Sequence, residues 1–166
     1  AMIYTWIKNG KPDVSMSLNG SLAGLVAITA GCANVDAVGA FVIGGLAGIL
    51  CTMSVYFVED KLKVDDPVGA VSVHGACGLF GTLMVGLFDY TDGLFYGGGV
   101  HHLAIQALGV VCIAGWVIVT MSIVFFVLKK TIGLRVSKEE ELEGLDSTEH
   151  GSVSYTHLRA HETELH

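Results

Sequence analysis

The sequence predicts an all-α membrane protein, and three observations carry that reading. Of the 166 residues, 52% are hydrophobic and only 15% charged, with a mean hydropathy of +0.61, too apolar a balance for a soluble domain. The apolar residues gather into stretches near the ~20 positions that a helix needs to cross a bilayer. Lysine and arginine occur only in alternate connections between those stretches, as they do in multi-pass proteins whose basic loops stay inside.

Taken in order, Ala1–Ile7 reads as the last turns of a helix begun upstream, and the chain is expected to be a gene fragment. Val14–Ala30 follows as the first full span. It is short, and Asn19, Ser21 and Thr29 make it too polar to face lipid, which places it inside a larger bundle. Val38–Val58, Pro67–Phe88 and His101–Leu128 complete the spans. Asp66-Pro67 is a helix start, a carboxylate at the N-cap and proline at N1. Gly20-x-x-x-Gly24 and Gly44-x-x-x-Gly48 are small-residue pairs suited to close helix packing, as are Gly75, Gly78 and Gly81. Gly75 is expected to let a neighbouring helix approach the side chain of His74.

Lys8 and Lys11 lie in one connection, Lys61 and Lys63 two connections later, and Lys129, Lys130, Arg135 and Lys138 after the last span. Gly31–Ala37 and Asp89–Val100 hold neither residue type. The expected topology puts these two connections outside and the C-terminus in the cytoplasm of a cell (inner or plasma) membrane protein.

Composition also argues against several functions. The net charge of -7 comes mainly from the C-terminal tail and gives no reason to expect nucleic acid. Cys32, Cys51, Cys77 and Cys112 form no CxxC pair and read as small apolar filler, so no metal or cofactor is expected. A membrane-embedded hydrolase would need an activated nucleophile, and no G-x-S-x-G string occurs; the chain is expected not to be an enzyme. His74 stands apart, an ionisable side chain inside an apolar run, where such groups are costly and by default functional.

Several blocks carry a resemblance. Gly10-Lys11-Pro12, Leu18 through Cys32, Val64-Asp65-Asp66-Pro67 with His74-Gly75, Gly97-Gly98-Gly99 with Gln106, and Gly133-Leu134-Arg135-Val136 follow one another in a familiar order. From residue 1 to about Gly151 the chain resembles ammonium transporters of the Amt/Mep/Rh family, nearer to the bacterial Amt branch than to Rh glycoproteins. The resemblance implies an eleven-helix fold of two inverted halves plus a last long helix, assembled as a homotrimer with one pore per subunit. This chain would supply the end of helix 7 through helix 11 and the cytoplasmic tail. Residues 1–130 would then form the transmembrane part and 131–152 a regulatory tail.

The family's pore holds two histidines, and His74 matches the second. Ala70, one turn earlier, shares its face and lines the pore. Asp66 matches the acidic residue before that helix and is read as a structural cap. The implied function is transmembrane transport of ammonium or ammonia through a narrow apolar pore with a histidine relay. An Amt-like sensor with little flux is the alternative. The chemistry fits the residue types: an apolar pore makes naked cations expensive, while imidazole offers both a donor and an acceptor to a neutral species. His101-His102 departs from the pattern and is read as an interfacial or subunit-contact pair.

Gly133-Leu134-Arg135-Val136 and Gly144-Leu145-Asp146 mark the regulatory tail, where the resemblance places a contact with a PII-type signal protein. Ser137 to Glu140 fits a capping box, with Gly144 placed to stop the short helix. Val153 to Thr163 reads as the translation of a sequencing adapter, so 153–166 is expected to be an artefact and its histidines are given no role.

Overall fold

Helices form where acidic or glycine residues punctuate the apolar runs. The computed structural model describes residues 1–143 and 145. Its helices are α1 (Met2–Asn9), α2 (Val14–Thr29), α3 (Ala37–Tyr56), α4 (Cys77–Phe88), α5 (His101–Thr131) and α6 (Lys138–Glu143). A π-helical turn, Phe57–Leu62, extends α3, and another, Val71–Ala76, leads into α4. Among the described residues there is no strand, only an isolated bridge between Val35 and Asp89. Carboxylates start two of the helices: Asp13 accepts from the Met16 amide at 2.9 Å and Asp36 from the Gly39 amide at 2.8 Å.

Among the described residues, three helical segments are long and apolar enough to cross a membrane: Ala37–Leu62, Val71–Phe88 and His101–Thr131. Val14–Thr29 is short, as its sequence suggests. Its 16 residues rise about 24 Å, below the ~30 Å of a hydrocarbon core. A turn ends it: the Asn34 and Val35 amides both donate to the Gly31 carbonyl, each at 2.9 Å.

The chain divides into two units, Ala1–Trp116 and Val117–His166. In the first, α2 packs along α3, and α4 with its π-helical lead lies against both. Ala23, Ala27, Ile43, Ala47, Cys51, Val73 and Cys77 form the buried core. Small residues dominate because helices in lipid gain from backbone approach and van der Waals contact more than from burying large apolar groups. The glycine pairs of α2 and α3 face each other: a Cβ on Gly24 would lie 3.7 Å from the Gly44 Cα. Of the three glycines around α4, Gly81 makes the tight contact, a Cβ there falling 2.2 Å from the Ala27 carbonyl oxygen. Around Gly75 only Val71, from the same helical turn, comes within 4 Å of such a Cβ. The neighbouring helix expected there is absent among the described residues.

The polar residues of α2 also behave differently from expectation. Ser21 and Thr29 bond back to their own helix, to the carbonyls of Ser17 at 3.2 Å and Leu25 at 2.7 Å. That i−4 bonding satisfies a hydroxyl without any partner helix. Asn19 alone reaches another element, through its side-chain amide.

The connections sort by charge. At one end, the Lys8 ammonium sits 3.3 Å over the Tyr56 ring and the Asn9 side chain donates to the Tyr56 hydroxyl at 2.9 Å. At the other, the two connections lacking Lys and Arg join. The Tyr90 amide donates to the Asn34 carbonyl at 3.0 Å, and the Tyr96 hydroxyl to the Asp36 carboxylate at 2.5 Å.

In the second unit, Gly133 (φ 90°) closes α5 with its amide on the Leu128 carbonyl at 3.0 Å. The capping box then forms in full. The Ser137 amide donates to the Glu140 carboxylate at 2.9 Å, and the Glu140 amide to the Ser137 hydroxyl at 3.2 Å. The Ser137 amide, followed by the Ser137 side chain, holds the Glu140 carboxyl below its usual value.

Candidate functional site

The segment before α4 carries the residues of interest. Pro67 does not sit at the first helical position. Asp66 to Gly69 is a turn instead, with the Gly69 amide on the Asp66 carbonyl at 2.8 Å and Gly69 at φ 68°. That left-handed geometry favours glycine, and it delays the helix to Val71. The Asp66 carboxylate, buried at 5% exposure, reaches across the turn. It accepts from the Val71 amide at 3.1 and 3.3 Å and from the Ser72 amide at 3.4 Å. Two orphan amides of a helix start are thereby satisfied.

The π-helical turn Val71–Ala76 sorts its residues onto two faces. Ser72 and Val73 are buried, in line with Asp66, Gly69 and Cys77. Ala70, Val71, His74 and Gly75 are exposed. His74 and Ala70, one helical turn apart, therefore share a face directed away from the core. Among the described residues His74 makes no side-chain hydrogen bond, so its two ring nitrogens are uncommitted. The Ser72 hydroxyl is buried and has no hydrogen-bond partner among the described residues.

A second polar cluster lies beyond the end of α4. Asp89, 3% exposed, accepts from the Thr91 hydroxyl at 2.7 Å, the Thr91 amide at 2.8 Å, the Asp92 amide at 3.1 Å and the Asn34 side chain at 3.1 Å. The Thr91 hydroxyl, followed by these other donors, holds its carboxyl well below the usual carboxylate range. His102 Nε2 lies 4.0 Å from Asp89 Oδ2 and 3.4 Å from the Gln106 side-chain nitrogen, while His101 is exposed. Nothing in the sequence reading paired His102 with Asp89, although Asp89-x-Thr91-Asp92 is a recognisable Asx-turn pattern. The tyrosine hydroxyl of Tyr96 likewise holds the Asp36 carboxyl below its usual value.

Sequence reasoning also missed Asn19 as a partner of the segment bearing His74: its side-chain amide donates to the Val68 carbonyl at 3.2 Å. The tail residues lie elsewhere. Gly133, Leu134 and Arg135 are exposed after α5, and Val136 and Leu145 are half-buried. Gly144, Asp146 and the stretch 153–166 lie outside the described residues.

Residues 1–155 match the family described as Ammonium Transporter Family. Ammonium transporter Amt2 of Archaeoglobus fulgidus is 42% identical over 99% of this chain and 37% of its own length. Ammonium transporter Amt1 of Haloferax mediterranei is 41% identical over 93% of this chain and 29% of its own length. Among solved structures, one titled Sensor Amt Protein superposes with a TM-score of 0.81 at 40% identity, covering 89% of this chain and 37% of that one. The chain thus spans about a third of the length of these relatives.

Proposed function

Because the chain belongs to the ammonium transporter family, we propose that it forms one wall of a path carrying ammonium or ammonia across a membrane. The observation that carries this reading is the shared exposed face of His74 and Ala70, on a helix otherwise anchored by its opposite side. In that reading His74 is the relay and Ala70 lines the path beside it. Ala70 adds no polar group and keeps the path apolar, which raises the barrier to a naked cation. The imidazole accepts a hydrogen bond from the neutral species at one nitrogen and donates at the other. Asp66 holds the start of the helix and touches no substrate.

The test is transport by a chimera in which residues 1–151 replace the matching part of the Archaeoglobus fulgidus Amt2. In a strain lacking ammonium transporters, the chimera should restore growth on limiting ammonium. Normal membrane insertion without measurable uptake would favour the second reading, a sensor with little flux, to which the similarity to the Sensor Amt Protein lends support.

The topology belongs to the same proposal. The two connections without Lys or Arg meet at one end, and those carrying Lys8 and Lys61 flank Tyr56 and the π-helical turn at the other. We place the first end outside and the tail after Lys130 in the cytoplasm. Cysteine labelling in a cysteine-free chimera should reach position 92 from outside and position 138 from the cytoplasm. Labelling of position 92 from the cytoplasm alone would invert the assignment. A homotrimer, and contact of Gly133 to Val136 and the tail with a PII-type signal protein, complete the reading.

A further inference from the structure

We propose that Asn19 is a positioning residue for His74, acting through the Val68 carbonyl and the π-helical turn that follows it. The inference rests on the reading that His74 lines the transport path.

Helix α2 holds the His74 segment at two points. Downstream, Ala27 meets the backbone of α4 at Gly81, where a Cβ would fall 2.2 Å from the Ala27 carbonyl oxygen. Upstream, the Asn19 amide donates to the Val68 carbonyl at 3.2 Å. It occupies the space beside Gly69 so closely that a Cβ there would lie 2.8 Å from the Asn19 nitrogen. Between these clamps the chain runs as a π-helical turn, Val71–Ala76, with His74 inside it.

A π-helical turn holds more residues than an α-turn and is uncommon except where something outside the helix imposes it. Here the imposition is visible. Among the described residues the Ser72 hydroxyl is buried without a partner, which a regular α-helical turn relieves through an i−4 carbonyl, as Ser21 and Thr29 do in α2. Releasing the upstream clamp lets the segment return to ordinary α-helical register. Each residue turns further around an α-helix, about 100°, than around the wider π-helix, so with α4 held at Gly81 the return rotates the face bearing His74 and Ala70 relative to the core. Asn19 makes no hydrogen bond to His74 or Ala70 among the described residues; its effect passes through Val68, Gly69 and the turn.

Asn19→Asp in the chimera tests this. The substitution keeps the shape, but an ionised carboxylate cannot donate to the Val68 carbonyl, whereas a protonated one can. The ionisable groups around this junction are the Cys51 thiol, 3.9 Å from the Asn19 carbonyl, the Asp66 carboxyl on the turn that Val68 and Gly69 belong to, and the Ala1 amino group, 3.7 Å from where a Gly20 Cβ would lie. That amino group becomes an uncharged peptide nitrogen in the chimera. The Asp66 carboxylate disfavours a second charge there. Relative to the unsubstituted chimera at each pH, maximal flux should fall roughly tenfold at neutral pH, the scale of one lost hydrogen bond. It should recover as the external and internal pH are lowered together, with KM unchanged. Asn19→Ala should lose flux without the acid recovery. A flat ratio for Asn19→Asp, or loss of both variant proteins from the membrane, would overturn the proposal and leave Asn19 a folding residue. His74→Ala run in parallel separates the two readings. If it conducts normally, the proposed path fails; if it is inactive while Asn19→Asp is normal at neutral pH, only the positioning role fails.

Discussion

Replacing His74 with alanine in the chimera should reduce ammonium uptake by roughly a hundredfold or more while leaving the amount of membrane-inserted protein unchanged. Two features separate the effects on function and folding. The His74 side chain makes no hydrogen bond among the described residues, and it lies on the face away from the core of Ala23, Ala27, Ile43 and Cys77. Its removal therefore leaves no buried polar group orphaned and opens no core cavity, the usual routes to large destabilisation. What is lost is a donor and acceptor in an apolar passage, and a positioned proton-transfer group contributes roughly 10²-fold or more. His74→Glu is the sharper variant. A carboxylate restores a polar relay but presents a full negative charge, so passage should return with weaker discrimination against potassium. Uptake and selectivity unchanged in both variants would remove His74 from the path.

The features of this molecule that local chemistry decides were legible in the sequence. The capping box at Ser137 and Glu140 is read correctly because both partners lie within one turn. The glycine pairs of α2 and α3 are read correctly because backbone approach needs only small residues at the right spacing. The start of the helix bearing His74 is a different matter. Asp66-Pro67 has the signature of a helix N-terminus, yet Gly69 takes a left-handed conformation and inserts a turn, so the carboxylate caps Val71 and Ser72 instead. Local signals cannot report that choice, because the Asn19 amide from another helix stabilises it.

The same limit explains the polar residues of α2. In sequence, Asn19, Ser21 and Thr29 look equivalent, three hydrogen-bonding groups in an apolar span. Ser21 and Thr29 need nothing beyond their own backbone, while Asn19 has no i−4 bond and goes to Val68. Hydroxyls can fold back on a helix; a carboxamide in the same place more readily reaches out. Likewise the pairing of His102 with Asp89 depends on Asn34 and Thr91 fixing the carboxylate first, across 55 residues of chain in the case of Asn34. Sequence alone yields His74, Ala70 and Asp66 as a list of candidates, of which the structure bears on the capping role of Asp66. The geometry around them was not legible, because the elements that set it are distant in sequence.

Expressed alone in a strain lacking ammonium transporters, residues 1–151 should fail to support growth on limiting ammonium. The argument rests on faces. A path through a bilayer needs a closed wall, and on the proposed reading the described residues supply one side of it. His74, Ala70, Val71 and Gly75 point away from the core, and among the described residues nothing from another helix lies within 4 Å of where a Gly75 side chain would begin. Ser21 and Thr29 do not enter the argument, since both are satisfied within α2. Two other features do. Helix α2, at 16 residues, is too short to cross the hydrocarbon core unaided, so exposure to lipid leaves a mismatch that neighbouring helices would otherwise absorb. And an imidazole facing lipid is costly, where in a lined path it meets water or substrate. The expected result is therefore no uptake, together with a lower level in the membrane fraction than the chimera reaches. Co-expression with the remaining part of the Archaeoglobus fulgidus Amt2 as a separate chain should restore some of both, because the missing wall is then present without a covalent link. Robust uptake by residues 1–151 alone would mean that one wall suffices, and the shared face of His74 and Ala70 would no longer identify the path.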